Sequence, residues 1–274
     1  MPSRDWSLVF FTVLAQWSVG IIVCLTVLVE TEPTAGNPVL LALFLIAVAT
    51  VSSFLHLGTP SNAPGALNNL SASWLSREIL AIAIFSGSLL ITLVPGWMTG
   101  GAAYPGYLLL ACSITGLFLL WAMARVYLIP TIPSWNSWYT PLSFATTSLS
   151  LGLITFLLLN TLGLAGADKQ EDSFFAGVLV AILALEMLSA ILHQRQLLRM
   201  DTGIAGPTFG HGAYYRLFLA RMTLILLACL ALLFLYIQAD RDHVAWIYLV
   251  LLLVTLQEFA GRRLFYSSYF RIGV

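Results

Sequence analysis

The chain has 274 residues, of which 59% are hydrophobic and 9% charged, and its twelve basic and twelve acidic side chains cancel. A soluble domain carries roughly a quarter charged residues, so this composition cannot clothe a water-facing surface and points to lipid as the solvent. Balanced charge argues against nucleic acid as a partner.

About twenty apolar residues cross a hydrocarbon core as one helix, and eight such runs follow one another. The first, 6–29, is too long for the apolar region of a signal peptide and is followed by no small-residue cleavage site, so it reads as a span. The others lie at 38–56, 74–94, 107–129, 141–162, 173–193, 216–238 and 243–265. Breakers fill the links: EPTAGNP after the first run, PGWMTGGAAYPG after the third and DTGIAGPTFGHG before the seventh. Trp6, Trp74, Trp97, Tyr104, Trp135, Trp138, Tyr139 and Tyr214 crowd the run ends, as interfacial aromatics do. No link is long enough for a soluble domain, and no internal repeat marks an inverted-repeat transporter. The expectation is an all-α membrane protein, a bundle of eight transmembrane helices with both termini on the same side, forming a single integral-membrane domain over 1–274. Cys24, Cys112 and Cys229 sit far apart inside apolar runs. They have no spacing suited to zinc or an iron–sulfur cluster, and read as apolar filler.

Eight spans put the second, fourth and sixth links on the same face as the termini. Arg4, Arg77, Arg195, Arg199, Arg216, Arg262, Arg263 and Arg271 fall at or near that face. The opposite face has Lys169 and Arg241 among seven acidic residues. The positive-inside rule then places the terminal face in the cytoplasm.

A charge inside the membrane costs about 2.5–3.5 kcal/mol on insertion scales, so each one needs a reason. Arg77 and Glu78 come early in the third run, Arg125 late in the fourth, Glu186 in the sixth, Arg221 early in the seventh, and Glu258 and Arg262 late in the eighth. Odd runs leave the terminal face and even runs return to it, so these groups share the half of the bilayer nearest that face. His56 and His193 close the second and sixth runs at the same level. A channel or secondary transporter needs polar stations through the full thickness or at the midplane. A one-sided cluster suits a lipophilic carrier whose polar head reaches the protein at one leaflet, as a quinone's does. Quinol oxidation releases two protons with two electrons, which calls for a base near the ring oxygen. His56 titrates near neutrality, and Glu78 can relay its proton. The link LGTPSNAPGALNNLSAS lets the polypeptide re-enter beside its exit, with Ser71 or Ser73 capping the third helix. Glu258 and Arg262 stand at i, i+4, close enough to pair. Glu186 has no local partner and is expected to bond across helices. The histidines lack the deep, facing placement that haem ligation wants.

The residues around this link also carry a resemblance. HLGTP (56–60), the NNL that follows and SWLSRE (73–78) resemble the signature of the DmsC family, the membrane-anchor subunits of dimethyl sulfoxide reductase. ARVYLIPTIPSWNSWYTPLSF (124–144) and EFAGRRLFY (258–266) resemble two further segments of that family. SWLSRE is also similar to the anchor subunit, SoeC, of the cytoplasmic sulfite dehydrogenase of sulfur-oxidising bacteria. The resemblance implies a three-subunit complex in which an iron–sulfur subunit and a molybdopterin catalytic subunit dock on the anchor. The anchor itself would have no haem, no cluster, no metal and no catalytic residue for the substrate half-reaction. It implies a quinone site, for menaquinone or ubiquinone, at His56, Gly58 and Glu78. Asn62 stands where the family often has arginine, a charge that Arg77 is placed to replace. Arg125 and Tyr139 join the quinone-binding set by level, with Glu258, Arg262 and Asn62 behind it or on a proton path. Two other classes stay open on the residues: a transporter of a small sulfur oxyanion, and a lipid-processing membrane enzyme. The enzyme would want an HExxH or HxxxH motif that the sequence lacks.

Overall fold

A computed structural model of the protein describes residues 4–28, 38–54, 69–98, 104–164, 172–200, 209–237 and 244–271. Among these are eight α-helices and no strand. They are α1 (Arg4–Leu28), α2 (Pro38–Phe54), α3 (Trp74–Met98), α4 (Gly106–Tyr127), α5 (Tyr139–Thr161), α6 (Asp172–Met200), α7 (Gly212–Ile237) and α8 (Val244–Ser267). Seven are long and apolar enough to cross a membrane, and α2 is a shorter apolar helix of 17 residues. In hydrocarbon every backbone polar group must be paired within the segment, so these apolar runs have no alternative to helix. Buried hydroxyls obey the same constraint. Thr12, Thr26, Thr50 and Thr155 each donate to the carbonyl four residues back.

The predicted spans and the helices agree at their centres and differ at some ends. Helix α6 continues past His193 to Met200, because Gln194 to Arg199 are good helix formers even though the apolar run has ended. Pro95, which has no backbone N–H to give, lies in the last turn of α3, and the helix ends within that turn. Of the two serines offered as caps for α3, Ser73 takes the role, its Oγ accepting the Ser76 N–H at 3.3 Å.

Cross-helix bonds fix the packing. Ser52 Oγ donates to Ser7 O and Ser18 Oγ to Ala42 O, so α1 and α2 run antiparallel. Thr26 meets Ser113 at 2.8 Å between α1 and α4, and Ser88 meets Thr115 at 3.0 Å between α3 and α4. Helices α1 and α5 form the centre of the bundle, with α1 touching α2, α4, α5 and α8. At their crossing the backbones touch. A Cβ on Gly20 would fall on the Ser148 carbonyl, and one on Gly152 would fall on the Gly20 backbone. Around this centre, Phe44, Ile91, Ile114 and Leu230 project outward, and polar side chains lie inside. This is the reverse of a soluble protein's layout.

Candidate functional site

Among the described residues, the buried Glu and Arg side chains gather in two neighbouring clusters. The first lies where α3 begins, α4 ends and α8 ends. Glu78, in the first turns of α3, is only 4% exposed, and its Oε1 has no hydrogen-bond partner among the described residues. Its carboxyl is near enough to interact electrostatically with the buried Tyr127 of α4 and Tyr266 of α8, whose hydroxyls bond each other at 2.7 Å. The segment between α4 and α5 seats this pair. Trp135, one of the aromatics at the run ends, packs on α8: its indole donates to Phe265 O at 2.8 Å and its ring stacks on Phe265.

Arg77 does not aim at Glu78. Its guanidinium turns back to donate to Leu70 O and Ser71 O, both at 2.8 Å, and lies 4.2 Å from the Trp74 ring centroid. The exposed Arg125 shares that ring at 4.8 Å. Both arginines thus brace the entry to α3.

The second cluster joins α5, α6, α7 and α8. Glu258 accepts bonds from Thr147 Oγ1 (2.7 Å), Ser150 Oγ (2.9 Å) and Gln257 Nε2 (2.8 Å). The Gln257 amide also donates to Glu186 at 2.9 Å, so one side chain bridges two carboxyl groups. Arg221 donates to Gln257 Oε1 at 3.2 Å and to the Tyr139 hydroxyl at 2.9 Å, and stands 4.0 Å from Glu186. Gly261 makes room for it, since a Cβ there would lie 2.6 Å from the Arg221 Cζ. Tyr139 stacks face to face on His193, ring centroids 4.2 Å apart, and His193 Nδ1 has no partner among the described residues. Of these, Tyr139, His193 and Arg221 line a small cleft that Tyr214, Phe218 and Ser268 help to close.

Arg262 links the clusters. The i, i+4 spacing suggested a pair with Glu258, but its Nη2 donates instead to Gln16 of α1 at 2.6 Å and, weakly, to Thr147 at 3.5 Å. Its guanidinium also lies 3.9 Å from the Phe144 ring centroid. Thr147 therefore touches both ions.

Of the residues singled out by sequence, Glu78 falls in the first cluster with Arg77 and Arg125 at its edge, and Tyr139 falls in the second with Glu258. Arg262 spans both. His56, Gly58 and Asn62 lie outside the described residues. Glu186 finds its partners across helices, as expected. Tyr127, Tyr266, Gln257, Thr147, Ser150 and Gln16 were missed, because uncharged polar residues do not stand out against an apolar run. One signal was available in FATTSLSLG (144–152), whose hydroxyls spread over more than half of a helix's circumference. Helix α5 is buried nearly all round. Among the described residues no three His, Cys, Asp or Glu side chains gather to hold a metal ion.

The family model for the DMSO reductase anchor subunit, DmsC, matches residues 2–268. The protein belongs to the DmsC family. Among curated DmsC relatives, the C subunit of the anaerobic dimethyl sulfoxide reductase of Escherichia coli (strain K12) is 27% identical over 99% of this protein and 97% of its own length. The YnfH subunit of the same organism is 29% identical with the same coverage. The C subunit of the Haemophilus influenzae reductase is 33% identical over 65% of this protein and 68% of that one. The three segments that suggested DmsC supply Glu78, the Tyr127–Trp135–Tyr139 stretch, and Glu258 with Arg262. They contribute to both polar clusters, which Thr147, Glu186, His193, Arg221 and Gln257 complete from outside them.

Proposed function

We propose that this DmsC-family subunit anchors an iron–sulfur subunit and a molybdopterin catalytic subunit to the bacterial cytoplasmic membrane and exchanges electrons between them and a quinone. This is the setting of anaerobic respiration on a sulfur compound such as dimethyl sulfoxide. Family membership supports the anchoring. The observation that carries the quinone site is Glu78: a carboxyl group buried at the start of a membrane helix, with one oxygen that has no partner among the described residues and with Tyr127 and Tyr266 as electrostatic neighbours. An unpaired polar atom buried in an apolar setting costs about 1–3 kcal/mol, so its retention implies a partner that comes and goes. A quinol hydroxyl is such a partner, and His56 is the base that the sequence assigns to the same site.

The residues present suit that substrate. Glu78 holds or releases a proton at Oε1, with Tyr127 and Tyr266 as its electrostatic neighbours. Trp135 and Phe265 wall the site against water. Eight successive spans return both termini and the docking face to one side in this reading, and the arginine count supports the cytoplasm as that side. The decisive comparison uses the assembled complex. Glu78→Gln and His56→Ala are expected to abolish quinol-coupled turnover while artificial dyes still drive the catalytic subunit. Parallel loss of both activities would make these residues structural and overturn the assignment.

A further inference from the structure

Two guanidinium groups share one indole at the end of the α3–α4 pair. Trp74 and Arg77 stand in the first turn of α3, and Arg125 stands in the last turn of α4. Ser88 meets Thr115 and Thr92 meets Cys112, so the two helices run antiparallel and these ends lie at one level. Span ends of this kind sit among the lipid headgroups. The Arg77 and Arg125 Cζ atoms lie 4.2 and 4.8 Å from the Trp74 ring centroid. Trp121 meets the same ring edge-on, with centroids 4.7 Å apart.

Positive charge is left over here. Arg77 gives Nε and Nη2 to the carbonyls of Leu70 and Ser71, and its Nη1 has no hydrogen bond among the described residues. Arg125 is exposed and makes no hydrogen bond or ion pair among those residues. The neighbouring acid, Glu78, is buried and forms no ion pair with Arg77. Neither the connection that enters α3 (55–73) nor the one that leaves α4 (128–138) contains an Asp or Glu. Like charges repel, so two cations on one ring with no acid to meet them call for an anion from outside the chain.

The surface below them says which anion. Trp121, Phe118, Ile114 and Leu110 are exposed and fall four, seven, eleven and fifteen residues before Arg125. That spacing keeps them on one face of α4, which runs from the guanidinium into the apolar depth of the span. A carboxylate on a subunit docked from the water side would meet the arginines and leave this stripe bare. A lipid presents a phosphate and then a hydrocarbon chain, in the same order as the protein surface.

We propose that Arg77, Trp74 and Arg125, with the α4 stripe beneath them, bind one acidic phospholipid. Its phosphate accepts from both guanidinium groups, and an acyl chain lies along Trp121, Phe118 and Ile114. Arginine suits this task because its planar fork pairs with phosphate while its flat face stacks on an aromatic ring. Basic sites between membrane helices take such headgroups. The site does not depend on the quinone assignment: a quinone head is uncharged and would leave both cations unmet.

The test uses the purified three-subunit complex in detergent. It is equilibrated with phosphatidylglycerol or with phosphatidylcholine of the same chains, and bound lipid is counted by native mass spectrometry. The parent should retain one phosphatidylglycerol with a preference of about 10-fold or more over phosphatidylcholine. Affinity should fall about 5-fold in Arg125→Gln and about 30-fold in Arg77→Gln/Arg125→Gln, the worth of one and two arginines near a charged lipid surface. Arg195→Gln, which removes an exposed arginine on α6, should stay within about twofold of the parent, since the effect is local to the bound headgroup. Millimolar inorganic phosphate should not displace the lipid, because the chain adds to its hold. Displacement by phosphate alone marks a site for a soluble anion and overturns the proposal. Equal retention of the two lipids by the parent, which needs no variant to fold, also overturns it. So does parent-level retention in the double variant, or an equal loss in Arg195→Gln. A double variant that sheds the iron–sulfur subunit while keeping its lipid would give the arginines to a protein partner instead.

Discussion

Arg221 illustrates how a cation is kept inside this bundle. Three groups from three other helices hold it: Tyr139, Gln257 and Glu186. Removing one partner of a buried ion pair leaves the other uncompensated, at about 3–5 kcal/mol. Arg221→Met is therefore expected to lower the thermal midpoint of the detergent-solubilised protein sharply. The double variant Arg221→Met/Glu186→Gln should lose less than the sum of the single losses, because the two groups share one interaction; a double-mutant cycle read by thermal unfolding checks it. Gly261→Ala acts on the same contact from the other side. The added methyl must push away a guanidinium held at three points, a cost of about 1–3 kcal/mol typical of overpacking and readable in the same melt. At this scale the sequence disclosed which residues were expensive but not whom they meet. Glu258 and Arg262 stand at a pairing distance along their helix, but Thr147, Ser150 and Gln257 claim the carboxylate and Gln16 claims the guanidinium. Tertiary partners of this kind leave no mark on local spacing.

Helix existence was readable almost residue by residue, because lipid leaves an apolar run of this length no other structure. The contacts between helices were less legible. The α1–α5 crossing depends on Gly20 meeting Ser148 and Gly152, and glycine within an apolar run looks ordinary. The four-residue interval from Ser148 to Gly152 is nonetheless the small-xxx-small pattern by which membrane helices approach closely, and it could have flagged α5 as central. Association there relies on packing, since lipid tails are as apolar as the helices. A side chain at the crossing cannot be absorbed by a flexible neighbour, because the atoms it meets are backbone. Gly20→Val and Gly152→Val are therefore expected to separate α1 from α5 and to yield aggregated protein on size-exclusion chromatography. Gly87→Val should elute like the parent, because a Cβ at Gly87 meets nothing within 4 Å.

Across the whole molecule, the sequence placed its polar groups at one level of one leaflet, and on that basis Arg125 and Tyr139 joined Glu78 in a single set. Depth is legible from span counting, but position around the bundle is not. The fold puts Arg125 on Trp74 beside Glu78, and sends Tyr139 to His193 and Arg221 in the other cluster. Under the proposed function this division places the quinone head beside one cluster and not the other, so variants on the two sides should fail differently. Tyr127→Phe removes a hydroxyl next to Glu78 and should weaken binding of a quinone analogue about 5- to 10-fold, the worth of one hydrogen bond of roughly 1 kcal/mol or slightly more. Tyr139→Phe removes a hydroxyl on the cleft side and should leave analogue affinity within twofold of the parent, while lowering the melting midpoint through the lost Arg221 bond, again by about 1 kcal/mol. Fluorescence-quench titration of the complex with the analogue, alongside thermal melts, reads both effects. Weakened affinity in Tyr139→Phe with none in Tyr127→Phe would move the quinone head to the α5–α6–α7–α8 cleft and make Glu78 a structural acid.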